Sequence, residues 1–410
     1  MLDQAEADLT EIFIHIAEDN IVAAERLLRS IGAKREPLAD NSSMWRETLM
    51  AFLLIGPSDR PRPTCGDCCN CLYEPIGREG KFMYVVTGGA GFIGSNIVAQ
   101  LAENGLGPVV VADRLGDEDK WRNLARRELF DIVHPDRLDA FLNDHASDIE
   151  AVIHMGAISA TTERDADLIL ENNFQLSMTL WNWCTANETR FIYASSAATY
   201  GDGDQGFEDD GSSEFLANLR PMNPYGWSKH LFDRRVARLI ETGAPRPRQW
   251  AGLKFFNVYG PNEYHKGRMA SVVSQVFPVA KAGETCRLFK SHHPDYEDGG
   301  QLRDFIWVGD CVNIVLWLLS HEDVNGLFNC GTGKARSFAD LAGAVYASLD
   351  KDPQIDFIDT PEDIREKYQY FTEAPMARLR GAGYDAPMTS LEDGVRAYVC
   401  DYLNHNDPYR

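Results

Sequence analysis

A chain of 410 residues with 44% apolar and 25% charged side chains has the composition of a globular protein large enough for two or three domains. Its formal net charge of −22 excludes a broad nucleic-acid-binding face, because neutralising phosphates takes clustered Lys and Arg, although a single nucleotide needs only a few local donors. The longest apolar runs, such as Ala51-Phe52-Leu53-Leu54-Ile55, are too short to span a bilayer, and no basic-then-apolar leader opens the chain, so a cytoplasmic protein with no membrane partner is expected.

Residues 1–56 read as a helical extension. Leu9, Ile12, Phe13 and Ile16 share one helical face, and Ala23, Ala24, Leu27 and Leu28 follow the polar break Ala17-Glu18-Asp19-Asn20. The wording of these two helices resembles the opening of ParE-type toxins, which complete their core with a following antiparallel sheet. No run of alternating strands follows here, so a fused remnant is expected rather than a toxin. Residues 57–82, rich in Pro, Gly and charge, read as a linker. Within it Cys65, Cys68, Cys69 and Cys71 crowd a span too short for comfortable tetrahedral ligation, and no metal site is predicted. The singly scattered Cys184, Cys286, Cys311, Cys330 and Cys400 fit buried thiols in a reducing compartment.

From Met83 the pattern changes. Tyr84-Val85-Val86-Thr87 predicts a buried strand, which breaks at Gly88-Gly89-Ala90-Gly91-Phe92-Ile93-Gly94 and continues as an amphipathic helix through Ile97, Val98 and Leu101. A strand, a glycine turn and a helix N-terminus form a site for a dinucleotide pyrophosphate: Gly88 permits the turn, Gly91 lets N–H groups approach, and Gly94 lets helix and strand pack closely. A second strand, Val109-Val110-Val111-Ala112, ends at Asp113, about twenty residues on, where a ribose hydroxyl would be held. Arg114, Lys120 and Arg122 follow at the place of an adenosine 2′-phosphate, which tilts the cofactor from NAD towards NADP, although Asp117, Glu118 and Asp119 among them also suit a solvated charged loop. A third strand, Ala151-Val152-Ile153-His154-Met155, runs into the small-residue turn Gly156-Ala157-Ile158-Ser159. The helix after it carries Asn172 and Asn173.

The fourth strand ends in Ser195-Ser196, and Tyr225 and Lys229 follow in Pro224-Tyr225-Gly226-Trp227-Ser228-Lys229. Pro224 suits a first helical turn, which puts Tyr225 and Lys229 on one face. An ordinary phenol is a poor base at neutral pH; an ammonium and a positive nicotinamide beside it favour the phenolate. A strand-end serine can donate to the substrate oxygen as it becomes a carbonyl. These elements add up to an α/β fold: a Rossmann doubly wound parallel sheet over 83–265, with strand segments after 300 returning to it, and a smaller C-terminal α/β lobe over 266–405 for substrate.

The glycine turn with Ser196, Tyr225 and Lys229 resembles the extended short-chain dehydrogenase/reductases. Asn172-Asn173, Tyr193 to Gly201, Phe255 to Pro261, His265-Lys266-Gly267, Arg303-Asp304-Phe305 and Tyr368 to Thr372 narrow this to the branch that epimerises ADP-heptose at C6 for lipopolysaccharide core supply. The resemblance implies Tyr225 as acid/base at the C6 hydroxyl, Ser196 beside it, Lys229 on the nicotinamide ribose and Lys266 as a second acid/base. It implies a cofactor, NADP with NAD possible, lined by Gly88, Gly91, Phe92, Ile93, Gly94, Asp113, Arg114, Lys120, Met155, Gly156, Ala157, Ile158, Ser159, Asn172, Lys229, Val258 and Lys266. It implies ADP-heptose facing Asn257, Arg268, Gln275, Phe289, Lys290, Ser291, His292, Arg303 and Tyr368, and a homo-oligomer, since members form homopentamers. A second acid/base suits a ketone that turns before reduction, because its oxygen then faces elsewhere. Arg268 and Gln275 depart from the branch's usual Ser and His, and 203–218 and 291–301 are longer than usual. The alternatives are another nucleotide-sugar epimerase or dehydratase, such as a UDP-hexose 4-epimerase, or an idle dinucleotide sensor.

Overall fold

The computed structural model describes residues 82–117, 119–361, 365 and 369–410. The expectations for the helical extension, for nearly all of the linker with its cysteine run, and for Tyr368 lie outside the described residues.

Strands β1 (Met83–Thr87), β2 (Val109–Ala112), β3 (Asp131–Val133), β4 (Ile149–His154), β5 (Arg190–Ser196), β6 (Trp250–Phe255) and β11 (Gly326–Cys330) form one sheet in the order β11-β6-β5-β4-β1-β2-β3. Every pairing in it is parallel. The expected doubly wound α/β fold is therefore the one observed. Near-continuous apolar runs are what such strands need, because helices cover both faces; Val85, Val86, Val110, Val111, Val152, Ile153, Phe191 and Ile192 are all fully buried. Helices α2 (Leu176–Ala186) and α3 (Pro224–Glu241) pack on this sheet, and α1 (Phe92–Glu103) packs on β1, β2 and α5 (Val308–Ser320). Winding reverses between β1 and β4, so a crevice opens at their carboxyl ends.

A second apolar core joins α4 (Val272–Ala282), α6 (Phe338–Ala347) and α7 (Leu391–Tyr398) to the parallel pair β8 (Cys286–Phe289) and β13 (Ile355–Ile358), around Val273, Phe277, Leu288, Leu341, Val345 and Tyr398. Two short ladders link the parts: β7 (Asn257–Tyr259) with β10 (Phe305–Trp307), parallel, and β9 (Leu302–Arg303) with β12 (Arg336–Ser337), antiparallel. The sequence suggests one strand from Asp304 to Val308. The structure forms it as β10 over Phe305–Trp307 and starts α5 at Val308; Asp304 lies between β9 and β10, where its buried carboxylate accepts the backbone N–H groups of Thr332, Gly333 and Ala374. The long acidic segment before the Tyr225 helix is packed rather than loose: Phe207 sits edge-on to Tyr200 at 5.5 Å, and Asp209 accepts the Asn329 N–H at 2.8 Å.

Candidate active site

The crevice is shaped first by its glycines. Gly88 has φ +64°, and a Cβ there would lie 2.6 Å from the Gly156 N and Cα, so the ends of β1 and β4 are in direct contact. At Gly94 a Cβ would fall 2.2 Å from the Gly88 carbonyl oxygen, which sets the first turn of α1 against the glycine turn. Gly91 stands at the N-cap with extended backbone and no side-chain cap. The first N–H groups of a twelve-residue helix are thus left to a ligand, a cradle that fits a pyrophosphate.

Beneath that turn lies a buried polar chain. Thr87 Oγ1 and Ser177 Oγ flank the His154 ring at 2.6 and 2.9 Å, and Ser177 donates to the Asn173 carbonyl at 2.5 Å. Burial, with Lys229 nearby, lowers the His154 pKa to about 3, so the ring is a neutral strut. Asn173 in turn accepts the Ile158 N–H at 2.8 Å and donates to the Ile158 carbonyl and Ser228 Oγ, tying the turn after β4 to α3.

The acidic residue closing β2 is already engaged. Asp113 accepts the N–H of Ala90 at 2.9 Å and of Arg114 at 2.7 Å, and pairs with Lys120 Nζ at 2.6 Å. The Arg114 guanidinium, exposed, reaches Asp136 at 2.7 Å and Asn172 at 3.3 Å.

Asn223 caps α3 through its side chain, with Pro224 in the first turn, and so aims Tyr225 and Lys229 from one helical face. Ser196 Oγ accepts the Ala198 N–H at 3.1 Å, which leaves its own proton to donate. Burial pushes the Tyr225 phenol above its ordinary value, the Ser196 hydroxyl pulls the other way and Asp233 adds to the rise. Among the protein's own groups desolvation is the largest influence on this phenol; the phenolate expectation counted a positive nicotinamide as well as the ammonium. Burial also lowers Lys229 to about 8, against the pull of Asp233. Lys266 lies 5.4 Å over the Phe92 ring and is lowered by burial, with Glu263 opposing.

A cavity of about 620 Å³ joins these parts. Its lining takes Gly88, Gly91, Phe92, Ile93 and Gly94 from the turn and α1, Asp113, Arg114 and Lys120 from the loop after β2, and Met155, Gly156, Ala157, Ile158, Ser159 and Asn172 from beyond β4. Ser196, Tyr225, Lys229, Val258 and Lys266 complete it. These residues therefore border one space; Arg122, named with them for a 2′-phosphate, does not line it but pairs with Asp119 at 3.7 Å and lies 4.5 Å over the Tyr409 ring.

The model of the NAD dependent epimerase/dehydratase family matches residues 84–331. An ADP-L-glycero-D-manno-heptose-6-epimerase of Nitratidesulfovibrio vulgaris is 52% identical over 329 residues, 80% of this chain and all of that protein. The chain belongs to the NAD dependent epimerase/dehydratase family. Among solved structures, the Helicobacter pylori ADP-L-glycero-D-manno-heptose-6-epimerase is 27% identical with a TM-score of 0.64, covering 79% of this chain and 97% of its own. MoeE5, solved with UDP-glucose and NAD, is 25% identical with a TM-score of 0.59, covering 77% and 97%.

For a member of this epimerase/dehydratase family, the residues named for substrate are spread more widely. Gln275 and Phe289 line a second cavity of about 650 Å³ between α4 and β8. Asn257 is exposed on β7, and Arg268 is exposed just before α4, its carbonyl 3.4 Å from Gln275 Nε2. Lys290 pairs with Asp359 at 3.4 Å, the Ser291 N–H donates to Asp298 at 2.8 Å, and the His292 N–H donates to the Tyr370 hydroxyl at 2.9 Å. Arg303 donates to the carbonyls of Leu302 and Gln369 and lies 5.7 Å from the Phe338 ring. Neither cavity is lined by Asn257, Arg268, Lys290, Ser291, His292 or Arg303. Sequence reasoning passed over Thr87, Phe256 and His265, which border the first cavity. Their neighbours Gly88, Asn257 and Lys266 carried the visible signals, and a bordering side chain has no spacing of its own.

Proposed function

We propose that the chain interconverts the C6 epimers of ADP-glycero-manno-heptose through a transient 6-ketone, with NADP as the resident cofactor. The carrying observation is that Ser196, Tyr225, Lys229 and Lys266 border the same cavity as the uncapped N-terminus of α1. An identity of 52% to a curated 6-epimerase supports the substrate. NADP is supported by the pairing of Asp113 with Lys120, which cancels the carboxylate that would repel a 2′-phosphate and leaves Arg114 beside it.

The α1 N-terminus would hold the pyrophosphate, Arg114 and Lys120 the adenosine end, and Lys229 the nicotinamide ribose. When bound, the dinucleotide supplies a hydride acceptor that returns the same hydride, and its positive ring favours the Tyr225 phenolate. Tyr225 takes the C6 hydroxyl proton while Ser196 donates to the oxygen that is becoming a carbonyl. Lys229 keeps its ammonium next to the phenol. After the ketone turns about C5–C6 its oxygen no longer faces Tyr225, and Lys266, lowered by burial, gives the proton on the new side. Arg268, Gln275, Phe289 to His292, Arg303, Asn257 and Tyr368 are assigned to the nucleotide-sugar. The chain is further assigned a homo-oligomeric state, which light scattering reads directly.

The decisive assay supplies ADP-D-glycero-D-manno-heptose deuterated at C6, in parallel with UDP-galactose. Formation of the L-glycero epimer with the deuterium retained is expected. Turnover of UDP-galactose instead, or loss of the label to water, would overturn this reading.

A further inference from the structure

Behind the site, next to the carboxyl end of β6, sits a fully buried lysine. Lys254 and its partner Asp233 are both 0% exposed at the side chain, with Nζ 2.8 Å from Oδ2. A strand flanked by β5 and β11 is where an apolar side chain would do at least as well, since desolvating two charges costs several kcal/mol that their attraction seldom exceeds. Fold stability therefore does not account for the pair. Its contacts do.

Lys254 Nζ also donates to Thr199 Oγ1 at 2.6 Å, and Thr199 donates to the Ser196 carbonyl at 2.8 Å. Asp233 accepts the Ser195 hydroxyl at 2.6 Å and the Tyr193 hydroxyl at 3.2 Å. Ser196 is thereby gripped on both sides, through Ser195 before it and Thr199 after it. Asp233 lies one helical turn beyond Lys229 and two beyond Tyr225 on α3.

We propose that Asp233 and Lys254 form a positioning pair for the reaction, locking the strand end that carries Ser196 to the helix that carries Tyr225 and Lys229 and holding Lys229 as an ammonium. The inference rests on the catalytic reading of Tyr225 and Lys229 given above. The charges around the pair are few. From β4, His154 faces Lys229 and is neutral. On α3, His230 is lowered to about 4 by burial, and Lys229 is drawn up by Asp233. Tyr193 on β5 and Tyr200 after it are raised by burial and by Asp233, Tyr200 also by Asp209 and Glu208. Lys254 lies 4.8 Å over the Tyr200 ring. Asp233 is thus the carboxylate set against the desolvation of Lys229, and the Lys254 ammonium paired with it at 2.8 Å opposes its charge.

The signs give a test that a scaffold role would not pass. Removing the negative charge lowers the pKa of both Tyr225 and Lys229, so in Asp233→Asn both limbs of the kcat pH profile move to lower pH, by about one unit. Lys254→Met moves both limbs to higher pH, and Lys254→Arg, which keeps the charge, restores their positions. Binding of NADP⁺ alone, followed by tryptophan fluorescence, gives the same limb without any sugar substrate: affinity is lost as Lys229 deprotonates, at lower pH in Asp233→Asn. This second readout separates failure of the proposal from failure of the substrate reading. Should Asp233→Asn not fold, comparing Lys254→Met with Lys254→Arg decides the same question. Limbs that stay in place in every folded variant, with only amplitude or melting temperature changed, would overturn the proposal.

Discussion

The residues named for the dinucleotide and those named for the sugar nucleotide fare differently in the tertiary structure. Most of the first set sits at strand carboxyl ends and in the turns that follow them in one parallel sheet, joined by Val258 of β7 and by Lys266, and all of it but Arg122 borders one cavity. The second set comes from α4, short ladders and loops around the smaller core; among its described members, Gln275 and Phe289 line a separate cavity and the rest line neither. A doubly wound sheet makes its crevice by topology, at the reversal between β1 and β4, so residues at those ends converge whatever their side chains. Loop residues have no such constraint. Arg303, for one, is held by the carbonyls of Leu302 and Gln369 rather than displayed to a cavity.

The comparison is sharpened most by removing the convergent chemistry. Tyr225→Phe is expected to lower turnover about 10²–10⁴-fold while leaving dinucleotide affinity unchanged in equilibrium titration; retained turnover would remove Tyr225 from the mechanism. Lys266→Met should cost about 10²-fold, and unequally for the two epimers in single-turnover reduction of bound cofactor, because each is served from a different side. Equal losses would contradict a two-sided acid/base pair. Lys120→Ala should lower the preference for NADP over NAD by about tenfold, the worth of one charged hydrogen bond, measured as the ratio of the two dissociation constants. On the sugar-nucleotide side, Gln275→Ala should raise KM for the sugar nucleotide by only a few-fold, about 1 kcal/mol for a neutral hydrogen bond; a loss as large as that of Tyr225→Phe would erase the contrast between the two sets.

Stability offers a further measurement. His154, His230 and His265 are lowered by burial to about 3, 4 and 4, below the unfolded value near 6.5. Below pH 6.5 the unfolded chain binds more protons than the folded one, so this contribution is complete above pH 6.5 and is lost as pH falls towards 4. The melting temperature should decline over that window, and His154→Gln should flatten the decline.

Much of the larger core and of the first cavity was legible because its signals are local. Buried strands announce themselves as apolar runs, Gly88 and Gly94 stand where no Cβ fits, and Asn223-Pro224 starts the helix that puts Tyr225 and Lys229 on one face. Other features had no local mark. Asp304, just before β10, buries a carboxylate that accepts three backbone N–H groups brought from Thr332, Gly333 and Ala374, partners far away in sequence. The rise of Tyr225 in the protein by itself depends first on how deeply the phenol is desolvated, which no spacing encodes.

By itself the sequence determined the parallel sheet, the glycine turn and the Ser196, Tyr225 and Lys229 set, since periodicity, missing side chains and helical spacing act within a few residues of chain. Tertiary structure alone decided that Lys254 of one strand meets Asp233 of the helix that carries Tyr225 and Lys229, that Asp113 is paired with Lys120, and that Lys266 lines the same cavity. Electrostatic pairing and burial are properties of neighbours in space, and those neighbours exist only once the chain has been wound.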